Sequence, residues 1–347
     1  MSGEKIDERE SEILKSVIRA HIASGDPVGS QTVAAGASLR LSPASIRNIM
    51  ADLEERGFLS QPHPSAGRVP TDQAYRLYVD QLISTPTISD RETLRIDKAL
   101  DAGERDVDKL LLEVSRQLSS GADGVGLVLV PNLQRMVVEH LEFVRLDTQR
   151  IVAILVGRSG VVHNRILEVR TPLSQPELDR IGSYLSEQFG GRTLPQMRSR
   201  LRTRIAEQQA PDADTAAGLE LGQRAVAVDE ADGDVIVEGG SRLLAAPEFA
   251  DLDVARSLFR TLEEKNQLVD LLSRLLGEDG VQVVIGNENP VDDLARCSLV
   301  AANYLSGDRV MGTLGIVGPT RMQYVRAIAL VDYLARALSM RLDRRDD

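Results

Sequence analysis

A chain of 347 residues exceeds one ordinary domain, so two or three are expected. The 42% hydrophobic share suffices for packed cores, but with 3% aromatics and no Trp they must be built from Leu, Val, Ile and Ala. A net charge of −11 excludes a generic polyanion binder, the single cysteine excludes an internal disulfide, and the apolar runs fall far short of the ~20 residues a membrane span needs. With no signal peptide read at the start, a cytoplasmic chain with no membrane partner is expected.

Asp7 to Ser24 carries Ile13, Leu14, Val17 and Ile18 on one stripe and reads as a helix closed by Gly25. Pro27 and Gly29 turn the chain, Ser30 to Ala35 forms a short helix anchored by Val33, and Gly36 to Arg40 leads into a third. That third helix opens at Ser42, whose hydroxyl can cap free amides, with Pro43 just inside. Ile46, Ile49, Met50 and Leu53 recur at i, i+3, i+4, i+7 and face a core. The opposite flank, Ala44, Arg47, Asn48 and Ala51, is short and polar, as a helix must be to enter a major groove about 12 Å wide. Gly57 ends the helix, Phe58 to Ser60 reads as a strand, Pro62 to Gly67 as its tip, and Arg68 to Pro70 as the return. The stretch has the pattern of a recognition helix with a β-wing. Its candidate DNA contacts are Ser42, Ala44, Ser45, Arg47 and Asn48 on the helix and His63, Ser65, Gly67 and Arg68 on the wing. The competing reading is an αβ-hairpin packed inside a larger domain.

Charge weighs against a strong electrostatic footprint, because the first 88 residues hold 9 Lys and Arg against 11 Asp and Glu. Arg40, Arg47 and Arg68 are the local exceptions. Weak non-specific DNA affinity is therefore expected, with binding that depends on dimerisation and direct readout.

Thr71 or Asp72 starts a helix through Tyr75, Tyr78, Val79 and Leu82, whose tyrosines are expected to pack on the first helix. Ser84 to Thr87 reads as a linker, Ser89 and Glu92 as a capping box, Gly103 as a break, and Asp106 to Leu118 as a further helix. Strand-like runs follow at Val125 to Val130, Val137 to Leu146, Arg150 to Val156 and Val161 to Val169, and are expected to begin one antiparallel sheet. Ser174 to Gly190 is a helix with a second capping box. Within Gly191 to Gln223, the run Arg198, Arg200, Arg202 and Arg204 reads as a solvated helix face, followed by a polar loop. Ala225 to Val228 and Val235 to Glu238 suggest a hairpin over Asp232-Gly233-Asp234, which lacks the ligand spacing of a calcium loop. Val254 to Leu276 reads as one long helix, Val281 to Gly286, Leu299 to Leu305 and Val310 to Val317 as strands, and Thr320 as the start of a last helix. The broad apolar face of that helix suits both the core and a partner.

Catalytic chemistry has no candidate set. His21, His63, His140 and His163 are dispersed, and no zinc spacing, GxSxG or phosphate loop occurs. Cys297 reads as a buried structural thiol. At Gly318-Pro319-Thr320-Arg321, helix capping by Thr320 is favoured over an anion site. No enzyme, metal or cofactor is expected.

The motifs SAGRVPTDQAYRLYVD, VEGGSRLL, VVIGNENP and GTLGIVGPTRMQYVRAIALVDYLA, in that order, resemble the heat-inducible transcription repressor HrcA family over nearly the whole chain. The resemblance implies an α+β chain: an N-terminal winged helix-turn-helix over 1–83, a linker and connecting helix over 84–105, and a GAF-like antiparallel sheet domain with helices over 106–170 and 251–347. An α/β dimerisation segment would be inserted over 171–250. It also implies a homodimer on double-stranded DNA, at an inverted-repeat operator of chaperone genes, with activity maintained by a GroEL-type chaperonin. The alternative is a ligand-gated regulator sensing a small molecule in the GAF-like domain.

Overall fold

A computed structural model of the chain describes residues 6–36, 41–64, 66–82, 87–102, 106–130, 137–158, 162–169, 171–206, 213–226, 235–244 and 246–343. Local capping sets the first helices. Asp7 accepts the Glu10 amide at 2.7 Å while Glu10 accepts that of Asp7 at 2.8 Å, and this reciprocal cap opens α1 (Glu8–Ser24). Gly25, at φ 77°, closes it. The short α2 (Ser30–Gly36) and then α3 (Pro43–Glu55) follow, and Ile13, Leu14, Val17, Val33, Ile46, Met50 and Leu53 are buried together. The antiparallel pair β1 (Leu59–Ser60) and β2 (Val69–Pro70) closes this head with Phe58 and Leu59 inward. Thr71 caps α4 (Asp72–Leu77), which continues as a π-turn to Leu82. Tyr75 and Tyr78 are buried as expected, but Tyr75 meets Tyr324 of the last helix, ring centroids 5.6 Å apart.

Ser89 caps α5 (Asp90–Asp101). Only half of the expected box forms, because Glu92 turns instead to Arg326 at 2.9 Å. Then come α6 (Val107–Gly121) and β3 (Val125–Leu129).

The next strands depart from expectation. β4 (Val137–Arg145), β5 (Arg150–Gly157) and β6 (Val162–Glu168) do not join β3. They form a second sheet, completed after α7 (Gln175–Phe189) by the short β7 (Arg192–Thr193), in the order β6-β5-β4-β7. The cause is their alternation. Leu141, Phe143, Ile151, Ala153, Leu155 and Leu167 point to one buried face covered by α7, whereas every residue of β3 is buried. α8 (Leu194–Ala206) and α9 (Ala213–Ala225) pack behind α7. The stretch read as a polar loop is thus helical over α9, because Leu219 and Leu221 bury against its neighbours. Arg200 and Arg202 are exposed as expected, while Arg204 turns in to Tyr184 at 2.9 Å. The supposed turn Asp232-Gly233-Asp234 lies outside the described residues.

The first sheet resumes at β8 (Val235–Glu238), followed by α10 (Gly240–Leu244). The expected long helix is two, α11 (Leu252–Glu263) and α12 (Lys265–Ser273). Glu264 leaves helical geometry at ψ 75° where Glu263 to Asn266 are all exposed, so no apolar face carries the helix through. The break lets Leu258 and Leu262, then Leu268, Leu271 and Leu272, meet the same side of the sheet. β9 (Val281–Ile285), β10 (Cys297–Ser306) and β11 (Arg309–Pro319) complete the antiparallel order β8-β3-β11-β10-β9. Both faces are covered. Leu299 and Val317 face α11 and α12, whereas Val300, Tyr304, Leu314 and Ile316 face α6 and α13 (Tyr324–Asp343).

Two expectations for the last helix change. Thr320 does not cap it, since its hydroxyl donates to Arg296 O at 2.9 Å and the helix starts at Tyr324. Part of its broad face is also taken up within the chain, where Asp97 accepts from Tyr333 at 2.7 Å and Asp101 from Arg341 at 2.6 Å. Cys297 is buried, and desolvation pushes its thiol up to about 12, so it stays protonated at neutral pH. No helix among the described residues is long and apolar enough to cross a membrane.

Candidate nucleic-acid interface

The α3 flank is built as its residues dictate. The Ser42 hydroxyl accepts the Ser45 amide at 3.1 Å, Pro43 occupies the first turn, and Gly57 at φ 78° lets the chain leave the helix. With Ile46, Met50 and Leu53 buried, Ser42, Ala44, Ser45, Arg47 and Asn48 are all turned to solvent. The Arg47 side chain has no ion pair or hydrogen bond among the described residues. Its fork of donors is therefore available to an external acceptor.

The hairpin has two parts with different roles. His63 is exposed at the tip, where Gln61, passed over in the sequence, donates to Pro64 O at 3.1 Å and Ala66 O at 2.9 Å and holds the turn shut. Ser65 and Arg40 lie outside the described residues. Gly67 and Arg68 are structural members of the return. A Cβ on Gly67 would stand 2.5 Å from the carbonyl carbon and oxygen of Val28, so the hairpin rests directly on the turn between α1 and α2. Arg68 exchanges backbone hydrogen bonds with Val28 at 2.9 and 2.8 Å, and its guanidinium donates to Glu54 at 2.7 Å. With its side chain only 15% exposed, Arg68 ties the hairpin to α3 and neutralises one of the acids at the far end of that helix. Gly67→Ala is expected to lift the hairpin from Val28 and lower stability by about 1–3 kcal/mol in urea unfolding. Gly36→Ala, where an added Cβ meets nothing within 4 Å, serves as the near-neutral control.

Among the described residues no three of His, Cys, Asp and Glu gather as a metal site requires.

The family model described as HrcA protein C terminal domain matches residues 108–328. The heat-inducible transcription repressor HrcA of Geobacter sulfurreducens is 42% identical over 97% of this chain and 98% of its own length. That of Xanthomonas axonopodis pv. citri is 39% identical over 96% and 95%. A crystal structure of a hypothetical protein, 22% identical, covers 98% of this chain and 100% of its own with a TM-score of 0.65, and so shares the fold. The class defined by these relatives is the transcription repressors. Within it, the chain belongs to the HrcA family of heat-inducible transcription repressors.

Proposed function

We propose that the chain represses chaperone genes as a homodimer that binds an inverted-repeat operator through a winged helix-turn-helix. The observation that carries this is the exposed α3 flank with Arg47 and Asn48 at its centre, their side chains without a partner among the described residues. A two-fold pair of such heads calls for a palindromic site. The body around the five-stranded sheet is read as GAF-like, serving as scaffold. Strand pairing supports an inserted segment over 137–226, which starts and ends earlier than the expected 171–250, since β8 pairs with β3 in the five-stranded sheet.

The inserted segment offers a surface for the second copy. Cross-strand rows Val144-Val152-Ile166 and His140-Val156-Val162 lie on the sheet face away from α7, with Ile154 between them. Ile166 and Val162 are 60% and 56% exposed. This face mixes exposed Val144, Val162 and Ile166 with His140, Glu142 and Asn164, and its apolar side chains are suited to self-association.

Operator occupancy then follows the fraction of chains holding the competent fold, which a GroEL-type chaperonin would maintain and heat would deplete. The test is refolding with chaperonin and nucleotide, read by gel shift. The DNA-active fraction should rise with no small molecule added, and an unchanged fraction would contradict chaperonin dependence. A ligand-gated reading has one observation in its favour, a cleft of about 600 Å³ in the body lined by Asn303, Leu305, Tyr333, Arg336 and Met340. A tight ligand that shifts both Tm and DNA affinity would favour it.

A further inference from the structure

The head is seated on the body through a polar seam. On α4, Asp72 and Arg76 lie one turn apart and grip the turn after β9 from two sides. Asp72 accepts the Asn287 backbone amide at 2.9 Å and its side-chain amide at 2.8 Å. Arg76 forks onto both oxygens of Glu288, with Nε 2.9 Å from Oε1, and also donates to Val283 O at 2.6 Å. Glu288 in turn accepts the Ile285 amide at 2.8 Å, which keeps the carboxylate aimed at the head. Gly286 sits beneath the Asp72 carboxylate at φ 51°, where a Cβ would collide with it.

A second point of contact lies at the other end of the head. Arg321 pairs with Glu248 and donates to Ile22 O, in the last turn of α1, at 3.2 Å. Between the two, Tyr75 packs on Tyr324, whose hydroxyl is held by Ser298 at 2.7 Å. Contacts from α4, from α1 and from a ring pair between them fix an attitude, whereas one contact plus a linker would leave the head free to swivel. Directional, charge-assisted hydrogen bonds are the kind that set angle as well as proximity.

We propose that the seam formed by Asp72 and Arg76 with Asn287 and Glu288 sets the angle at which each head is held, and thereby the spacing between operator half-sites that the dimer accepts. This rests on the reading of the chain as a dimeric operator binder. Two heads bind as one ligand only when their separation matches that of the half-sites, because the second contact otherwise loses its effective concentration. A rigid seam makes that match narrow, and a loosened seam makes it broad. Arg76 and Glu288 are thus positioning residues that touch no DNA.

The test measures affinity of the full-length dimer for inverted repeats whose central spacer is changed in single base-pair steps across about 10 bp, one helical turn. The wild-type protein should show one sharp optimum. Glu288→Gln, nearly isosteric, and Arg76→Gln, which removes the guanidinium fork, should each flatten the profile, cutting the ratio between best and worst spacers by about tenfold. Affinity for a duplex with one half-site should not change. Unaltered circular dichroism and dimer mass confirm that each variant is folded, and two variants on opposite sides of the seam guard against one failing. Retention of the wild-type optimum in both overturns the proposal. So does a gain in affinity at every spacer, since that would mean the seam restrains the heads away from DNA. If the wild-type protein binds no inverted repeat at any spacing, the reading as an operator binder has failed and the seam is not at issue.

Discussion

Arg47→Ala is expected to weaken operator binding by about 1–3 kcal/mol per head, roughly fivefold to over a hundredfold per half-site, and by more in the dimer, where both heads lose the contact. Arg47 stands on the solvent side of α3 with no side-chain partner among the described residues, so its removal leaves Ile46, Met50 and Leu53 packed as before. Unfolding midpoint and dimer mass should therefore stay at wild-type values while gel-shift affinity falls. Arg47→Lys separates charge from geometry, because a lysine keeps the attraction to phosphate but not the bidentate fork. Recovery of non-specific binding without recovery of operator preference is the expected pattern. Wild-type operator affinity in Arg47→Ala would remove Arg47 from the reading surface.

Ile166→Glu is expected to have the larger effect on assembly. Ile166 lies at the end of the row Val144-Val152-Ile166, on the face of the four-stranded sheet that α7 does not cover. At 60% exposure it contributes little to the fold of one chain, so a glutamate is tolerated by the monomer. In a self-paired sheet face, the same glutamate would be buried without a partner and would meet its own copy nearby. Sedimentation should show monomers at concentrations where the wild-type chain is dimeric. Operator affinity should drop by about 10²–10⁴, the gain that linking two half-site contacts confers. A variant that stays dimeric and binds normally would place the interface elsewhere.

Much of the head was legible in the sequence because its boundaries are written in short-range chemistry. Ser42 with Pro43 marks one end of α3 and Gly57 the other, and the capping geometry found at each is the one their residue types favour. The roles of Gly67 and Arg68 were not legible. They follow from Val28 and Glu54, tens of residues and 14 residues away, and neither separation leaves a periodic trace. Both looked like DNA-contacting residues of the wing and both are fastened within the head.

The body illustrates a signal that was present and passed over. VGLVL in β3 is apolar without alternation, as a strand buried on both faces must be. VVEHLEFVR in β4 interleaves Glu139, His140 and Glu142 with Leu141 and Phe143, as a strand with one wet face does. Two such strands belong in different sheets, and that contrast separates the inserted segment from the body. The break at Glu264 likewise coincides with Glu263 to Asn266, where the apolar stripe lapses for a full turn. The seam between head and body had no counterpart in the sequence, since Asp72 and Asn287 are 215 positions apart.

The central claim is that the α3 flank is presented twice, by a symmetric pair of chains, to one DNA duplex. Hydroxyl-radical footprinting across the inverted repeat of a chaperone promoter tests it most directly. The account predicts two symmetrically placed protected half-sites with wild-type protein and the loss of both with Arg47→Ala. Protection that survives Arg47→Ala, or a single tract lacking two-fold symmetry, would contradict it.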